Sequence, residues 1–532
     1  MQSCIAIVYL VALSFVCFST LTFSLPLSTK SRWIVDDLTG KRVKLAGLNW
    51  AGHVGPMLPE GLDKRPLSEI AKHIALTGFN NVRLTYATYM YTRYANRTVL
   101  ESFRDLGLEA AIRGIRRNNP QILELTLTEA HKAVVDELAI NGVTVLLDCQ
   151  VSEPIWCCGN DDGNGFWGDK NLQPQEWLRA LRIVAAFYKY TPTVVAMSLR
   201  NELRGPRQNS EDWYNYVQKG AKTIHKANPH VLVVVSGLSY DLDLSFLKKR
   251  PLRLNIDNKI VYEAHRYAFS NRERDRWLHQ PLNHVCDSIT RDMNRRSTFL
   301  VEGSEPAPLF VTEFGINMEG TNPADNNFFS CFLVYLAEHD LDWNFWGVQG
   351  SYYIRLGRED DDEQYAVFDH NMTRVRNPQF QRRLASIQGK IQDPHSEVPT
   401  HDVLYHPKSG ACIGVNEKFE LQPSGCHSFG RYWRYDKDKH VIRLLGTEFC
   451  LSSTGEGRPV VLSKDCANMK SMWKSVSNYQ LANYRDNMCL HYDSDYSEKI
   501  LTRKCICPDN DDPGCVENPS SQWFKLITSN AK

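Results

Sequence analysis

The chain reads as an α/β protein, a (β/α)8 TIM-type barrel followed by an all-β domain of three repeats. Three observations carry that reading. The apolar run 193–197 leads into Leu199-Arg200-Asn201-Glu202, and Leu309-Phe310-Val311-Thr312 leads into Glu313-Phe314-Gly315, so two buried strands each end in a carboxylate. Between them, residues 231–235 and 259–262 are β-like and each is followed by helical spacing, the alternation of a parallel sheet. From about residue 400 this gives way to short segments, turns and regularly spaced cysteines, the mark of a repeat. In a closed eight-stranded barrel, residues at the C-terminal strand ends share one cup, and both glutamates are expected to face it.

Taken in order, residues 5–18 form an apolar stretch followed by small or polar Ser19, Thr20 and Ser24. This predicts a secretory signal over residues 1–24. With Leu21 to Phe23 included it is nearly long enough to span a bilayer, so a retained N-terminal membrane anchor is the alternative. Fifteen cysteines favour an oxidising compartment. Asn96-Arg97-Thr98 and Asn371-Met372-Thr373 fit glycosylation sequons. Together these predict a secreted protein, extracellular or in a cell wall. With 62 basic and 61 acidic residues the net charge is +1, which gives no electrostatic case for nucleic acid or a stable membrane partner.

The barrel is expected over residues 30–395. Residues 41–47 make a first strand that exits at Leu48-Asn49-Trp50, where Trp50 either offers a flat stacking face to the cup or plugs the barrel. Residues 79–82 make the second and deliver Arg83 to the rim. Residues 97–120 look helical and lengthen the loop before a helix at 125–140, the side of a barrel where insertions shape access. The third strand ends in Asp148-Cys149-Gln150.

The loop 151–169 holds Trp156-Cys157-Cys158 and a polar stretch whose Asp161-Asp162 lack the spacing of a calcium loop, so no metal is assigned. Cys149 is expected to stay unpaired, with Cys157 and Cys158 reaching toward Cys286 and Cys331, although spacing cannot fix such connectivity. Residues 209–228 have helical spacing with Trp213 and Ile224 on a core face. A sixth strand ends Glu263-Ala264-His265-Arg266-Tyr267, and the last, 341–346, carries Trp343 and Trp346. The acidic run 359–363 reads as a solvated loop.

Asn201-Glu202, His265-Arg266-Tyr267, Glu313-Phe314-Gly315 and Trp346, in that order on successive strands, resemble glycoside hydrolase family 5, the cellulase-like retaining β-glycosidases. The resemblance implies that Glu202 is the general acid/base and Glu313 the nucleophile. It also implies that Asn201, His265, Tyr267, Gln150 and Arg83 bind or order the substrate, that the Tyr267 hydroxyl approaches Glu313, and that Trp346 forms a platform under the glycone. Such chemistry needs two carboxyls about 5 to 5.5 Å apart, one ionised beside a cation and one kept protonated by burial. Arg83 is the candidate cation. Related enzymes carry a histidine at about the position of Gln150, and glutamine cannot become cationic, which puts full activity and the usual substrate range in question.

In the second domain, expected over 400–529, Cys412, Cys450 and Cys489 lie 38 and 39 residues apart and each opens a similar unit. Cys426, Cys466 and Cys505 follow as partners, and an inserted Cys507 to Cys515 loop precedes the third closing tryptophan; the three are Trp433, Trp473 and Trp523. This resembles the ricin-type β-trefoil. That family's Gln-x-Trp closure is absent, since Arg431, Ser471 and Ser521 hold the Gln positions. A structural domain packed on the barrel and a working lectin module therefore both remain open, with Tyr432, His491 and Tyr492 as weak pocket candidates.

The resulting expectation is a secreted, monomeric, retaining β-glycosidase acting on a β-linked oligo- or polysaccharide in two steps without a cofactor. The alternatives are a non-catalytic carbohydrate-binding protein disabled at Gln150, and a transglycosylase.

Overall fold

A computed structural model describes residues 26–256, 258–426, 432–492, 494, 499–509 and 514–531. The expected signal and Arg431 lie outside the described residues. Eight parallel strands close into a barrel. They are β1 (Ala46–Trp50), β2 (Asn81–Ala87), β3 (Thr144–Val151), β4 (Val194–Ser198), β5 (Leu232–Val235), β6 (Ile260–Arg266), β7 (Leu309–Phe314) and β8 (Asp342–Trp346). β8 pairs with β1 to close the ring. All eight are buried nearly throughout, as strands covered on both faces must be.

The crossover helices begin where the sequence supplies caps. Thr98 and Glu101, and Thr126 and Glu129, form reciprocal capping boxes, and Asn209 and Asn322 accept from their own first turns, satisfying otherwise orphaned N–H groups. Among the described residues no helix is long and apolar enough to cross a membrane.

The first strand begins later than its hydrophobic pattern suggests. Residues 41–45 run beneath the barrel, where Arg42 and Lys44 are buried against Asp340, the left-handed C-cap of helix Pro323–His339. Asp340 also accepts the backbone N–H groups of Ile391 and Gln392 at 2.8 and 2.6 Å. Arg83 does not end its strand. It is the third residue of β2 and points into the barrel, fully buried. Trp50 is a plug rather than a sugar platform, with no exposure and its indole N–H given to the Glu60 carbonyl.

The acidic run is not a loop. It forms a β-hairpin of β9 (Ser351–Arg355) and β10 (Arg358–Asp362), and the following Glu363 is buried. The cysteines also differ from expectation. Cys157 bonds Cys158 and Cys286 bonds Cys331, because the 151–169 loop folds over the cup, away from the helix that carries Cys286. Cys149 is free and buried, as expected.

The C-terminal domain is all-β, with an extended sheet around His401–His406 and a four-stranded sheet from Trp473–Ser475 to Ile500–Lys504. Cys412–Cys426, Cys450–Cys466, Cys489–Cys505 and Cys507–Cys515 are bonded. Two of its tryptophans repeat one contact: Trp433 donates to the Ile413 carbonyl and Trp473 to the Leu451 carbonyl, each one residue past the unit's first cysteine. Trp523 breaks the pattern and donates to Asn283 on a barrel helix. Asn283 in turn donates to Gln480 and to the Cys507 carbonyl, and Trp523, Tyr405 and Ile527 join the barrel's own apolar core. The domain is therefore docked on the barrel through buried surface. At the Gln-x-Trp positions, Ser471 is buried and spends its hydroxyl on the Asp465 carbonyl.

Candidate active site

The C-terminal strand ends surround a cavity of about 550 Å³ that Gln150, Glu202, His265, Tyr267, Glu313 and Trp346 all line. Register puts them there. His265 stands opposite Glu313 across β6 and β7, and Asn49 stands opposite both Arg83 and Trp346. Glu263 and His265 point the same way because strand side chains alternate.

Arg83 is the hub. Its guanidinium donates to Glu313 Oε2 at 3.0 Å, to Asn49 at 3.0 Å and to Asn201 Oδ1 at 2.8 Å, and it lies 2.9 Å from Asp148. Gln150 accepts a longer bond from it at 3.4 Å. Tyr267 donates to the other oxygen of Glu313 at 2.8 Å. Glu313 is thus held on both oxygens by donors.

Glu202 sits differently. Its backbone is left-handed, φ 43°, a conformation that costs energy for a residue with a Cβ, and its N–H is held by buried Asp241 at 3.0 Å. Its carboxyl meets His265 Nδ1 at 3.0 Å, while His265 Nε2 meets the Thr312 hydroxyl at 3.0 Å. Thr312 commits its proton to Glu263 at 2.7 Å. The Thr312 oxygen therefore accepts from Nε2–H, and the Nδ1 lone pair faces Glu202, so a proton on Glu202 completes the chain.

Electrostatics agree. Burial pushes Glu202 up to about 7 and holds His265 down at about 4, hence neutral near pH 7. Burial also raises Glu313, a rise opposed by the Arg83 guanidinium and the Tyr267 hydroxyl. With His265 neutral, the standing cation beside Glu313 is Arg83. A carboxylate oxygen of Glu202, one of Glu313 and a nitrogen of His265 all lie within 4.8 Å of one another. These donors could surround a metal, but Arg83 already supplies the positive charge that a second cation would be repelled by.

Several lining groups carried no motif. Buried His53 pairs with Thr85. Glu363 accepts from Tyr352 at 2.7 Å, Arg355 at 3.1 Å and the Trp346 indole at 3.4 Å. Phe269 stacks on Tyr267 with ring centroids 4.8 Å apart. Asp241 follows β5 as the last of three left-handed residues, Ser239, Tyr240 and Asp241; the short polar spacing 239–243 was its one visible signal. Asp162 pairs with Arg204 at 2.6 Å. Asn96 and Asn371 are both exposed.

A barrel whose rim presents two facing carboxyls, one raised by burial to about 7 and the other bound by two donors, has the layout of a glycosidase. Comparison with known proteins agrees. A model of the cellulase family, glycosyl hydrolase family 5, matches residues 36–351. A glycosyl hydrolase 5 family protein of Chamaecyparis obtusa is 44% identical over 528 residues, 95% of this chain and 94% of that one. The catalytic domain of the major endoglucanase of Xanthomonas campestris pv. campestris superposes with a TM-score of 0.55 at 21% identity, over 68% of this chain and 99% of that one. The endocellulase of Pyrococcus horikoshii, solved as a Y299F–cellotetraose complex, superposes with a TM-score of 0.55 at 16% identity, over 68% and 99%. The chain belongs to glycosyl hydrolase family 5 and is a glycoside hydrolase.

Proposed function

We propose that this protein is a secreted, retaining β-glucan hydrolase with Glu313 as nucleophile and Glu202 as general acid/base. The observation that carries it is the pair of facing carboxyl oxygens within 4.8 Å, one bound by Arg83 and Tyr267 and the other raised to about 7. That spacing suits double displacement, since inverting pairs stand about 6.5–9.5 Å apart to admit a water. Glu313 attacks the anomeric carbon and forms a glycosyl ester while Glu202 gives its proton to the departing oxygen. Glu202, now a carboxylate, takes a proton from water, which attacks the same carbon and frees Glu313. Trp346 supplies a flat face for the glycone, its indole fixed by Glu363.

The glucan assignment is supported by the endoglucanase and endocellulase names of the fold relatives and by cellotetraose in one of them. Secretion is supported by six disulfides among the described residues and by the leading apolar stretch. A panel of aryl β-glycosides, with proton NMR of the first-formed anomer, tests the reading. Turnover that releases the β-anomer and vanishes in Glu313→Gln is expected. An α-anomer product, or turnover that survives Glu313→Gln, contradicts it.

A further inference from the structure

The wall of the cup beside Glu202 is made of sulfur. Cys157 and Cys158, consecutive in the chain and bonded to each other, line the cavity next to Trp156 and are half-buried. Their sulfurs and a Glu202 carboxylate oxygen all lie within 4.8 Å of one another. The Asn201 side-chain amide points at the same two atoms, 3.5 and 3.4 Å away, with its oxygen fixed by Arg83. Arg204 clamps the loop that carries them: it binds Asp162 at 2.6 Å, the Gly159 carbonyl at 2.8 Å and the Glu202 carbonyl at 2.8 Å.

A bond between neighbours in sequence closes essentially no length of chain, so the loop-entropy stabilisation of an ordinary disulfide, such as Cys286–Cys331 across 45 residues, does not explain it. Its position offers another reason. Bonded sulfur is polarisable and apolar, suited to the C–H face of a sugar, and it is too weak an acceptor to hold an amide against a hydroxyl.

We propose that the Cys157–Cys158 pair is a substrate-contacting surface. It packs against the sugar at the bond being cleaved and holds the Asn201 amide until a sugar hydroxyl takes its place. The nature of the ligand rests on the glycosidase reading above; the placement of the sulfurs does not.

The test uses the full-length Glu313→Gln protein, which binds without turnover, treated briefly with a water-soluble trialkylphosphine. The phosphine takes up the oxygen of one water, becomes the phosphine oxide and leaves two thiols, which are alkylated and counted by peptide mass spectrometry. Saturating cellotetraose, with binding followed by tryptophan fluorescence, is expected to slow labelling of Cys157 and Cys158 about tenfold while Cys412 and Cys426 label at an unchanged rate. Equal labelling with and without bound sugar overturns the proposal. If cellotetraose does not bind, the glucan reading fails, and the same measurement is made with the aryl β-glycoside that wild type cleaves. The second arm is Cys157→Ala/Cys158→Ala in the otherwise wild-type chain. Loss of one apolar contact at the reacting centre is expected to raise KM about tenfold or more with an unaltered melting temperature. Unchanged KM in a folded double variant overturns the proposal as well.

Discussion

The barrel buries carboxyl groups at both ends, and it treats them in opposite ways. Beneath the barrel, Asp340 has no side-chain exposure yet is matched by Arg42, Lys44 and two backbone N–H groups. Burial alone would raise its pKa, and the two cations outweigh that and hold it below the usual carboxylate range. In the cup, Glu202 is nearly as buried, with 13% side-chain exposure, but its nearest partner is a histidine that burial keeps neutral, and it rises to about 7. The same residue chemistry at similar depth gives a depressed, ion-paired carboxyl at one end and a carboxyl raised to about 7 at the other. What differs is whether the fold supplies a compensating charge. Barrels place stability at the strands' N-terminal face and chemistry at the C-terminal face, and here the two carboxyl environments show how.

The comparison is broken most sharply by exchanging carboxyl for amide at each end. Glu313→Gln and Glu202→Gln are each expected to lower kcat/KM on a sugar with a poor leaving group by about 10²–10⁴-fold or more with no loss of melting temperature. Asp340→Asn keeps a side chain that tolerates the left-handed backbone but strands two buried cations. It is expected to cost about 3–5 kcal/mol in denaturant unfolding while leaving kcat/KM unchanged in the folded fraction. Loss of activity without loss of stability in Asp340→Asn would erase the distinction between the two ends.

Stability against pH sharpens it further, because the two signs differ. Glu202 has a higher pKa folded than unfolded, so the unfolded chain gives up its proton first, and stability falls as pH rises from the usual carboxylate range to about 7. Asp340 is depressed, so its stabilisation is complete above the ordinary carboxylate range and is lost as pH falls through its folded value. Glu202→Gln is therefore expected to gain up to roughly 3 kcal/mol over wild type at pH 8 and nothing at pH 4, whereas the deficit of Asp340→Asn persists at pH 8 and shrinks under strong acid. Equilibrium unfolding at pH 8 and pH 4 reads the first, and a further measurement in strong acid reads the second. In activity, kcat/KM should decline above about pH 7 as Glu202 loses its proton.

The smallest effect is expected at Gln150. A histidine there would face Arg83, which Gln150 meets at 3.4 Å, and a cation beside a guanidinium is disfavoured. Gln150→His should therefore remain neutral and alter kcat/KM by less than about tenfold, or 1.4 kcal/mol. A hundredfold gain would mean that the cup is substantially disabled as it stands.

How much of this was written in the chain varies by feature. Strand ends with carboxylates, the helix caps and the cysteine period were readable because each is a local pattern repeated at a fixed spacing. The disulfide partners within the all-β domain followed from that period. Local pattern failed where partners come from elsewhere. Residues 41–45 look like a strand, but Arg42 and Lys44 were recruited by Asp340, some 300 residues away, to close the barrel's underside. The acidic run 359–363 looks solvated, yet Arg355 and Tyr352 bind it as a hairpin that delivers Glu363 to the indole of Trp346. Trp523 was expected to behave as its two counterparts do, and Asn283 of the barrel captured its N–H instead.

By itself, then, the order of residues determined the barrel, the repeated domain after it and the place of Glu202 and Glu313 at strand ends, because alternation, periodicity and strand-end position are properties of neighbouring residues. The tertiary structure alone decided that Cys157 bonds Cys158 beside Glu202, that Asp241 grips the Glu202 backbone, and that one buried carboxyl has its pKa depressed while the other is raised to about 7. Ionisation and contact depend on which groups are brought within a few ångströms after water is removed, and that information exists only once distant strands share a cavity.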